Sequence, residues 1–200
     1  MTSDHLILAS TSSYRRSLLN RLQLPFTVVA PEVDEAPLAA EPPATLAQRL
    51  ARLKALAVAE TERSAIVIGS DQVATIDGQE PIGKPGTRDA AVAQLRAAAG
   101  RSLVFHTAVA VLRLRDGFER VALVDTTVRF RALADDEILA YVDAEPAFDC
   151  AGSAKSEGMG IALLEAVASD DPTALVGLPL ITLCRFLTEA GMPPLAGARP

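Results

Sequence analysis

Apolar and polar positions along this chain alternate with two periods, one suited to strands and one to helices. Leu6-Ile7-Leu8-Ala9 is a continuous apolar run, the pattern of a buried strand, and a helix is predicted from about Ser13 to Leu22. Phe26 to Ala30 reads as a second strand, followed by an acidic, proline-rich loop from Pro31 to Pro43. A helix from about Thr45 to Glu60 would set Leu46, Leu50, Leu53 and Ala57 on one face. Ala65 to Gly69 is a strongly apolar strand expected to end at Ser70-Asp71. Val73 to Ile76 and an Asp77-Gly78 turn predict a hairpin leading into Gly83-Lys84-Pro85. A helix is expected from about Thr87 to Ala98, and Val104–Leu114 and Arg120–Phe130 read as long strands joined by Arg115-Asp116-Gly117-Phe118. Helices from Ala134 to about Asp143 and from about Pro179 to Ala190 complete the pattern, before a Pro- and Gly-rich tail from Gly191 expected to be loose. No segment repeats. The alternation of short strands and amphipathic helices predicts a mixed α/β fold, with a site between two lobes.

Composition narrows the class. Half of the 200 residues are hydrophobic, enough to build a core for one domain or two small lobes. A formal net charge of -6 argues against broad nucleic-acid binding, which needs a basic face. Cys150 and Cys184 show no metal-ligand spacing and read as reduced thiols. The polar start leads directly into Leu6 without a basic region or a signal-peptide core, and Thr173 to Cys184 is too short to span a bilayer. The expectation is a cytoplasmic protein with no membrane and no nucleic-acid partner.

The basic residues are skewed in an informative way. Of 19 basic side chains only Lys54, Lys84 and Lys155 are lysines; the other 16 are arginines. A lysine retained in such a chain suggests a place for a compact point charge on a flexible stem instead of a planar fork. Lys84 lies in Gly83-Lys84-Pro85, Lys155 in Gly152-Ser153-Ala154-Lys155-Ser156-Glu157-Gly158, and Lys54 at the border of an apolar helical stripe. A shared anion site is the reading that accommodates all three.

Two further constellations support it. Ser10-Thr11-Ser12-Ser13-Tyr14-Arg15-Arg16 is a hydroxyl-rich turn between strand and helix, offering caps and free backbone N–H groups. Two arginines in a first helical turn oppose the macrodipole, and a bound triphosphate would compensate both; solvated arginines after a hydroxyl cap explain them equally well. Asp71, directly after an apolar strand, occupies the position where open α/β sheets bind ligands. Glu35, in Pro31-Glu32-Val33-Asp34-Glu35, is a second carboxylate that with Asp71 and phosphate oxygens would suit magnesium or manganese, although on its own it reads as a solvated loop acid. No Gly-x-x-x-x-Gly-Lys-Ser/Thr loop and no Gly-x-Gly-x-x-Gly fingerprint is present. With only His5 and His106, the latter in an expected strand, a histidine-based mechanism is not indicated.

Leu6-Ile7-Leu8-Ala9-Ser10 with Arg15-Arg16, Pro31 to Glu35, Ile68-Gly69-Ser70-Asp71-Gln72, Gly83-Lys84-Pro85, Gly152 to Gly158 and Leu175-Val176-Gly177-Leu178-Pro179 occur in the order of the Maf family. The chain resembles that family from Leu6 to about Gly191. It looks most like the 7-methyl-GTP pyrophosphatase subfamily, through Gln72, the Lys155-Ser156-Glu157-Gly158 run and the aromatic Tyr14. Ser13, Tyr14 and Ala154 stand where proline, tryptophan and phenylalanine are common, so the tyrosine departs from the subfamily's usual stacking residue. The resemblance implies one inosine-triphosphatase-like domain over residues 1–190, a mixed twisted sheet with flanking helices and two lobes about a nucleotide cleft, with 191–200 as a loose tail. It implies hydrolysis of a nucleoside triphosphate between the α- and β-phosphates, a divalent cation (Mg²⁺ or Mn²⁺), a small-molecule nucleotide as partner and, by analogy, a homodimer. Asp71 corresponds to the proton acceptor, and Lys54 and Lys84 to catalytic lysines. Ser10, Arg15 and Arg16 would bind phosphate, Glu35 and Asp71 the metal, and Tyr14, Gln72 and Glu157 the base, with Lys155 as a further contact. Alternatives are an enzyme preferring UTP or dTTP, and a nucleotide-sensing regulator of cell division without turnover.

Overall fold

The structure, a computed structural model, describes residues 5–76 and 81–196. The elements in chain order are β1 (Leu6–Ala9), α1 (Ser13–Asn20), β2 (Phe26–Val29), α2 (Pro43–Ala59), β3 (Ile66–Ile76), β4 (Pro81–Ile82), α3 (Arg88–Ala98), β5 (Ser102–Arg113), β6 (Phe118–Phe130), α4 (Asp135–Ala144), β7 (Leu164–Ser169) and α5 (Leu180–Glu189). Two 3₁₀ turns, Ala151–Ser153 and Met159–Leu163, precede β7. The seven strands seen among the described residues form one sheet ordered β2-β1-β3-β5-β6-β7, with β4 hydrogen-bonded to β3. β1 runs parallel to both β2 and β3, while the β3–β4 and β6–β7 pairs are antiparallel. The expected mixed α/β fold is therefore observed. No helix among the described residues is long and apolar enough to cross a membrane.

Two compact units are distinguished. The first comprises the chain up to Gln72, Thr107–Val124 and the part from Asp171 onward; the second comprises Val73–His106 and Asp125–Asp170. In the first unit β1 is buried on both faces, as a central parallel strand must be. Leu6 and Leu8 join Ile66 and Ile68 of β3, Val109 and Val111 of β5 and the apolar sides of α1 and α5 in one core. Alternation along β3 sends Ile66, Ile68, Ser70 and Gln72 to that face and Val67, Gly69 and Asp71 to the opposite face, which α2 covers.

Three sequence expectations are corrected here. Asp71 is not at a strand end. β3 continues through Ser70-Asp71-Gln72 to Ile76, because these polar side chains find partners and leave the ladder intact. The buried stripe of α2 follows the expected face at Leu46 and Leu50 and then departs from it: Ala47, Ala51, Lys54, Ala55 and Val58 are also buried, whereas Leu53 and Ala57 are only half-buried. Lys54 thus lies within the stripe. Finally, β7 was not anticipated, since Leu-Glu-Ala-Val-Ala-Ser is poor in strand-favouring residues and pairs on one side only. The expected Asp77-Gly78 turn falls outside the described residues. At the start of the segment expected to be a loose tail, Gly191 at φ +85° and Met192 close α5, their N–H groups donating to the carbonyls of Thr188 and Leu187.

The packing of α2 on β3 depends on Gly69. A Cβ at this position would lie 2.7 Å from the Ala55 backbone nitrogen and 2.9 Å from the Ala55 Cβ. Helix backbone cannot yield as a flexible side chain can, so Gly69→Ala is expected to lower unfolding stability by about 3 kcal/mol, the upper part of the range for overpacking. Urea denaturation checks this, and a loss below about 0.5 kcal/mol, the size of a neutral surface change, would contradict the close approach.

Candidate active site

The close approach at Gly69 brings the buried Lys54 against β3. Its ammonium donates to Asp71 Oδ1 at 2.7 Å and lies 2.9 Å from Glu35 Oε1. Lys54 and Asp71 are each 7% exposed, whereas the Glu35 side chain is 60% exposed. One ammonium is therefore shared between a fixed, buried carboxylate and a solvent-facing one.

Arg15 completes the charge cluster. Its Nε donates to the Gly177 carbonyl at 2.9 Å, which fixes the plane of the guanidinium. Burial of that group pulls its pKa below the ordinary arginine value, and the negative charges of Asp71 and Glu35 pull it back up. Ser10 is buried, and its Oγ accepts from the Ser12 backbone N–H at 3.1 Å; Ser12 in turn caps α1 by accepting from Arg15 N–H. The hydroxyl turn thus folds on itself and aims the first turn of α1.

The other face of β3 grips the segment after Asp171. Ser70 Oγ lies 2.9 Å from the same Gly177 carbonyl and 2.8 Å from that of Ala108. Gln72 Nε2 lies 2.8 Å from Thr107 Oγ1 and 3.0 Å from the carbonyls of Ala174 and Leu175. Gly177 sits at φ +115°, a backbone conformation that L side chains rarely adopt. The buried Asp171 accepts from the N–H groups of Thr173 and Ile181, tying the same segment to the start of α5.

The acidic loop carrying Glu35 is tethered to α2. Arg49 donates from Nε and Nη2 to the two carboxylate oxygens of Glu41 at 2.7 and 2.8 Å, and from Nη2 to the Ala36 carbonyl at 2.9 Å. Glu41 also accepts from Leu38 N–H. This bidentate pair brackets the loop just after Glu35.

Among the remaining candidates of the first unit, Tyr14 is half-buried on α1. Arg16 points elsewhere: it is exposed and lines an open cavity of about 550 Å³ with Asn20, Phe26 and Thr27. Lys84, Lys155 and Glu157 belong to the second unit. There Lys84 is exposed, in a turn held by Gln94 Nε2 donating to the Gly83 carbonyl and by Gly86 N–H donating to Phe148. Lys155 is placed by its backbone, which donates to the Tyr141 hydroxyl, while its ammonium lies 3.2 Å from Asp149. Burial drives the Tyr141 phenol up to about 12. Glu157 is exposed and 3.4 Å from Ser156 Oγ. Both cysteines are free, and burial lifts the Cys150 thiol to about 11, which makes it a poor nucleophile. No cluster of three or more His, Cys, Asp or Glu poised for a metal occurs among the described residues.

Sequence reasoning missed Ser70, Gly177, Arg49 and Glu41. Ser70 and Gly177 lie inside the recognised segments, but nothing in their spacing reveals that they meet on one carbonyl. Arg49 and Glu41 carry no motif at all.

The family described as Maf-like protein matches residues 5–190. The chain belongs to the Maf family. Relatives named 7-methyl-GTP pyrophosphatase include one from Polaromonas sp. (strain JS666), 59% identical over 191 residues, spanning 96% of this chain and 87% of the relative. Another, from Burkholderia thailandensis, is 59% identical over 191 residues, spanning 94% and 88%. A HAM1 protein from Coxiella burnetii shares the fold of this Maf-family chain at a TM-score of 0.51 and 16% identity, over 93% of this chain and 99% of that one.

The tether of the Glu35 loop has a pH signature. Arg49 and the Leu38 N–H hold Glu41 at about 2, below its ordinary 4.5. The folded carboxyl is thus the stronger acid, and the stability it confers is complete above 4.5 and disappears as pH falls from there through about 2. The stability difference between the protein and its Glu41→Gln variant should be constant near neutral pH and shrink across that acid window. Thermal melts at stepped pH measure it, and a pH-independent difference would show the pair to be unformed.

Proposed function

We propose that this Maf-family chain is a nucleoside triphosphate pyrophosphatase that hydrolyses 7-methyl-GTP between the α- and β-phosphates, giving 7-methyl-GMP and pyrophosphate. The observation that carries the reading is the buried Lys54 ammonium joined to Asp71 and Glu35 beside Arg15, in a chain 59% identical to relatives of that name. A cluster of two carboxylates and two cations suits a polyanion with a hard metal ion. The donor set fits Mg²⁺ or Mn²⁺, because both carboxylates are hard oxygen ligands and Lys54 engages one oxygen of each. Such an ion would supply charge neutralisation at the phosphates and a more acidic water.

In this reading Asp71 takes the proton from the attacking water. A carboxylate fixed on a strand and hydrogen-bonded to an ammonium is held in one orientation for that task. Arg15, its Nε held by Gly177, turns the other face of its fork to phosphate oxygens. Ser10 shapes the turn at the start of α1, and Lys84 provides a mobile positive charge for the phosphates. Arg16, facing another cavity, would act on phosphate only through long-range attraction. For the base, Tyr14 offers a ring face to the cationic 7-methylguanine and Glu157 an acceptor for its N–H edge, with Lys155 as a further contact. Gln72 has its amide nitrogen engaged by Thr107, Ala174 and Leu175, so its Oε1 is the atom left for a base. We place the protein in the cytoplasm, acting on small nucleotides and not on nucleic acid, and expect a homodimer.

Pyrophosphate release with Mg²⁺ or Mn²⁺ tests the reading directly. Asp71→Asn should lower kcat about 100- to 10,000-fold while nucleotide binding survives, the loss expected of a general base. Near-wild-type turnover in the folded variant would remove Asp71 from that role, and no release from any nucleotide would leave a sensor without turnover.

Selectivity is a separate matter. kcat/KM should favour 7-methyl-GTP over GTP, UTP and dTTP. Glu157→Gln should erode that preference more than it slows the chemical step, and Tyr14→Ala should cost about 1–3 kcal/mol of binding, as for one stacked base. A wild-type preference for UTP or dTTP would overturn the substrate while leaving the reaction class intact.

A further inference from the structure

The charges around Lys54 balance. Asp71 and Glu35 contribute two negative charges and Lys54, bonded to both, one positive charge; Arg15, held on the Gly177 carbonyl, feels both carboxylates electrostatically and brings the second positive charge. The ammonium lies within 2.9 Å of both carboxylates, and Lys54 and Asp71 are almost wholly buried. A free divalent ion arriving here would have to displace the ammonium from its partners or share them with it. Either course leaves excess positive charge in a poorly solvated place, where like charges repel strongly. A nucleotide's phosphates bring the negative charge that removes this excess, and they also offer the displaced ammonium a new partner.

We propose that Lys54 is a resident counter-cation that closes the Asp71–Glu35 pair to free divalent ions, so that the protein accepts its metal only together with the nucleotide's phosphates. The substrate form is then the metal–nucleotide complex. This rests on the reading that Asp71 and Glu35 are the metal's protein ligands. Lysine suits the role because its compact charge sits on a flexible stem and can turn from carboxylate to phosphate. An arginine fork would grip a carboxylate through two parallel bonds and release it less readily. Arg15 does not move in this scheme, since its Nε is fixed on the Gly177 carbonyl. Of the further carboxylates on the same loop, Glu41 is already committed to Arg49, and Asp34 accepts from the Ala36 N–H.

Mn²⁺ binding, followed by the electron paramagnetic resonance of the free ion, tests this without turnover. The probes are Mn²⁺ alone and Mn²⁺ with a 7-methyl-GTP analogue whose α- and β-phosphorus atoms are joined by a methylene group, corrected for Mn²⁺ held by the analogue alone. Nucleotide-free wild type should bind Mn²⁺ at least about tenfold more weakly than nucleotide-free Lys54→Met or Lys54→Gln, whose paired carboxylates are left uncompensated. Circular dichroism establishes that each variant is folded. Equal Mn²⁺ affinity in wild type and either folded variant overturns the proposal. If neither variant folds, wild type alone decides: Mn²⁺ affinity without the analogue within about tenfold of that with it overturns the proposal, and a wider gap supports it. Glu35→Gln separates the two layers. Free Mn²⁺ binding by wild type as tight as that of the folded Lys54 variants, and abolished by Glu35→Gln, would keep the metal ligands and refute the counter-cation. Mn²⁺ recruitment with the analogue that survives both Glu35→Gln and Asp71→Asn would refute the ligand assignment itself, and the proposal with it.

Discussion

The candidate site depends on how closely a helix lies on a strand. At Gly69 the backbone of α2 approaches β3 to a distance that no side chain would permit, with Ala51 and Ala55 forming the helix side of the contact. Lys54 lies on that buried stripe, so the same approach that packs the helix delivers an ammonium to Asp71, two residues along β3 from the glycine. A buried ion pair costs desolvation that Coulomb attraction alone often fails to offset, and it survives where geometry is tight and further partners are present. Here Glu35 is the further partner. Packing and electrostatics at this point are one arrangement: moving the helix outward would lengthen the ion pair and leave two charges poorly solvated and poorly paired.

β3 divides its labour by alternation. One face carries Gly69 and Asp71 toward α2 and the charge cluster; the other carries Ser70 and Gln72 toward the backbone of Ala174, Leu175 and Gly177. The two faces are linked through Arg15, which is held by the Gly177 carbonyl yet feels the charge of Asp71. A strand that ended at Asp71 would leave Gln72 without a fixed place and the Ala174 and Leu175 carbonyls without the amide donor it supplies. Continuation of the strand, which sequence reasoning did not foresee, thus fastens the segment that leads to Gly177, whose carbonyl holds the arginine.

Much of this was legible beforehand, for physical reasons. Long runs with a clear period, such as β1, α2 and the β5–β6 pair, announced themselves because burial on one or both faces demands that period. The scarcity of lysine drew attention to Lys54, which lies buried against Asp71 and 2.9 Å from Glu35. The same argument is neutral for Lys84, which is exposed. Elements recorded only in tertiary partners stayed hidden. β7 is an edge strand with alanine and glutamate, and β3 reads as broken because Ser70, Asp71 and Gln72 look like a polar turn until their partners are known. Helical phase was misjudged on α2 because leucines were weighted over alanines, although a glycine-mediated contact favours the small residues.

The two carboxylates that share Lys54 are mounted differently, and the difference has a chemical use. Asp71 is on a central strand, buried and held in one orientation, which suits the proposed role of meeting a water at a defined angle. Glu35 is on a loop and exposed, held by Lys54 and by the bonds of Arg49 to Glu41 and the Ala36 carbonyl just beyond it. A site built on two rigid acids would retain whatever cation it bound. One rigid and one tethered acid can instead gather around a charged ligand and loosen again when the charge leaves as pyrophosphate. The arginine-rich surface pairs of this chain, such as Arg52–Glu119 and Arg96–Asp135, need no such reversibility and use the fork. Under the proposed role, reversible charge pairing is what separates Lys54 from them, and it gives a physical reason for a lysine at that place.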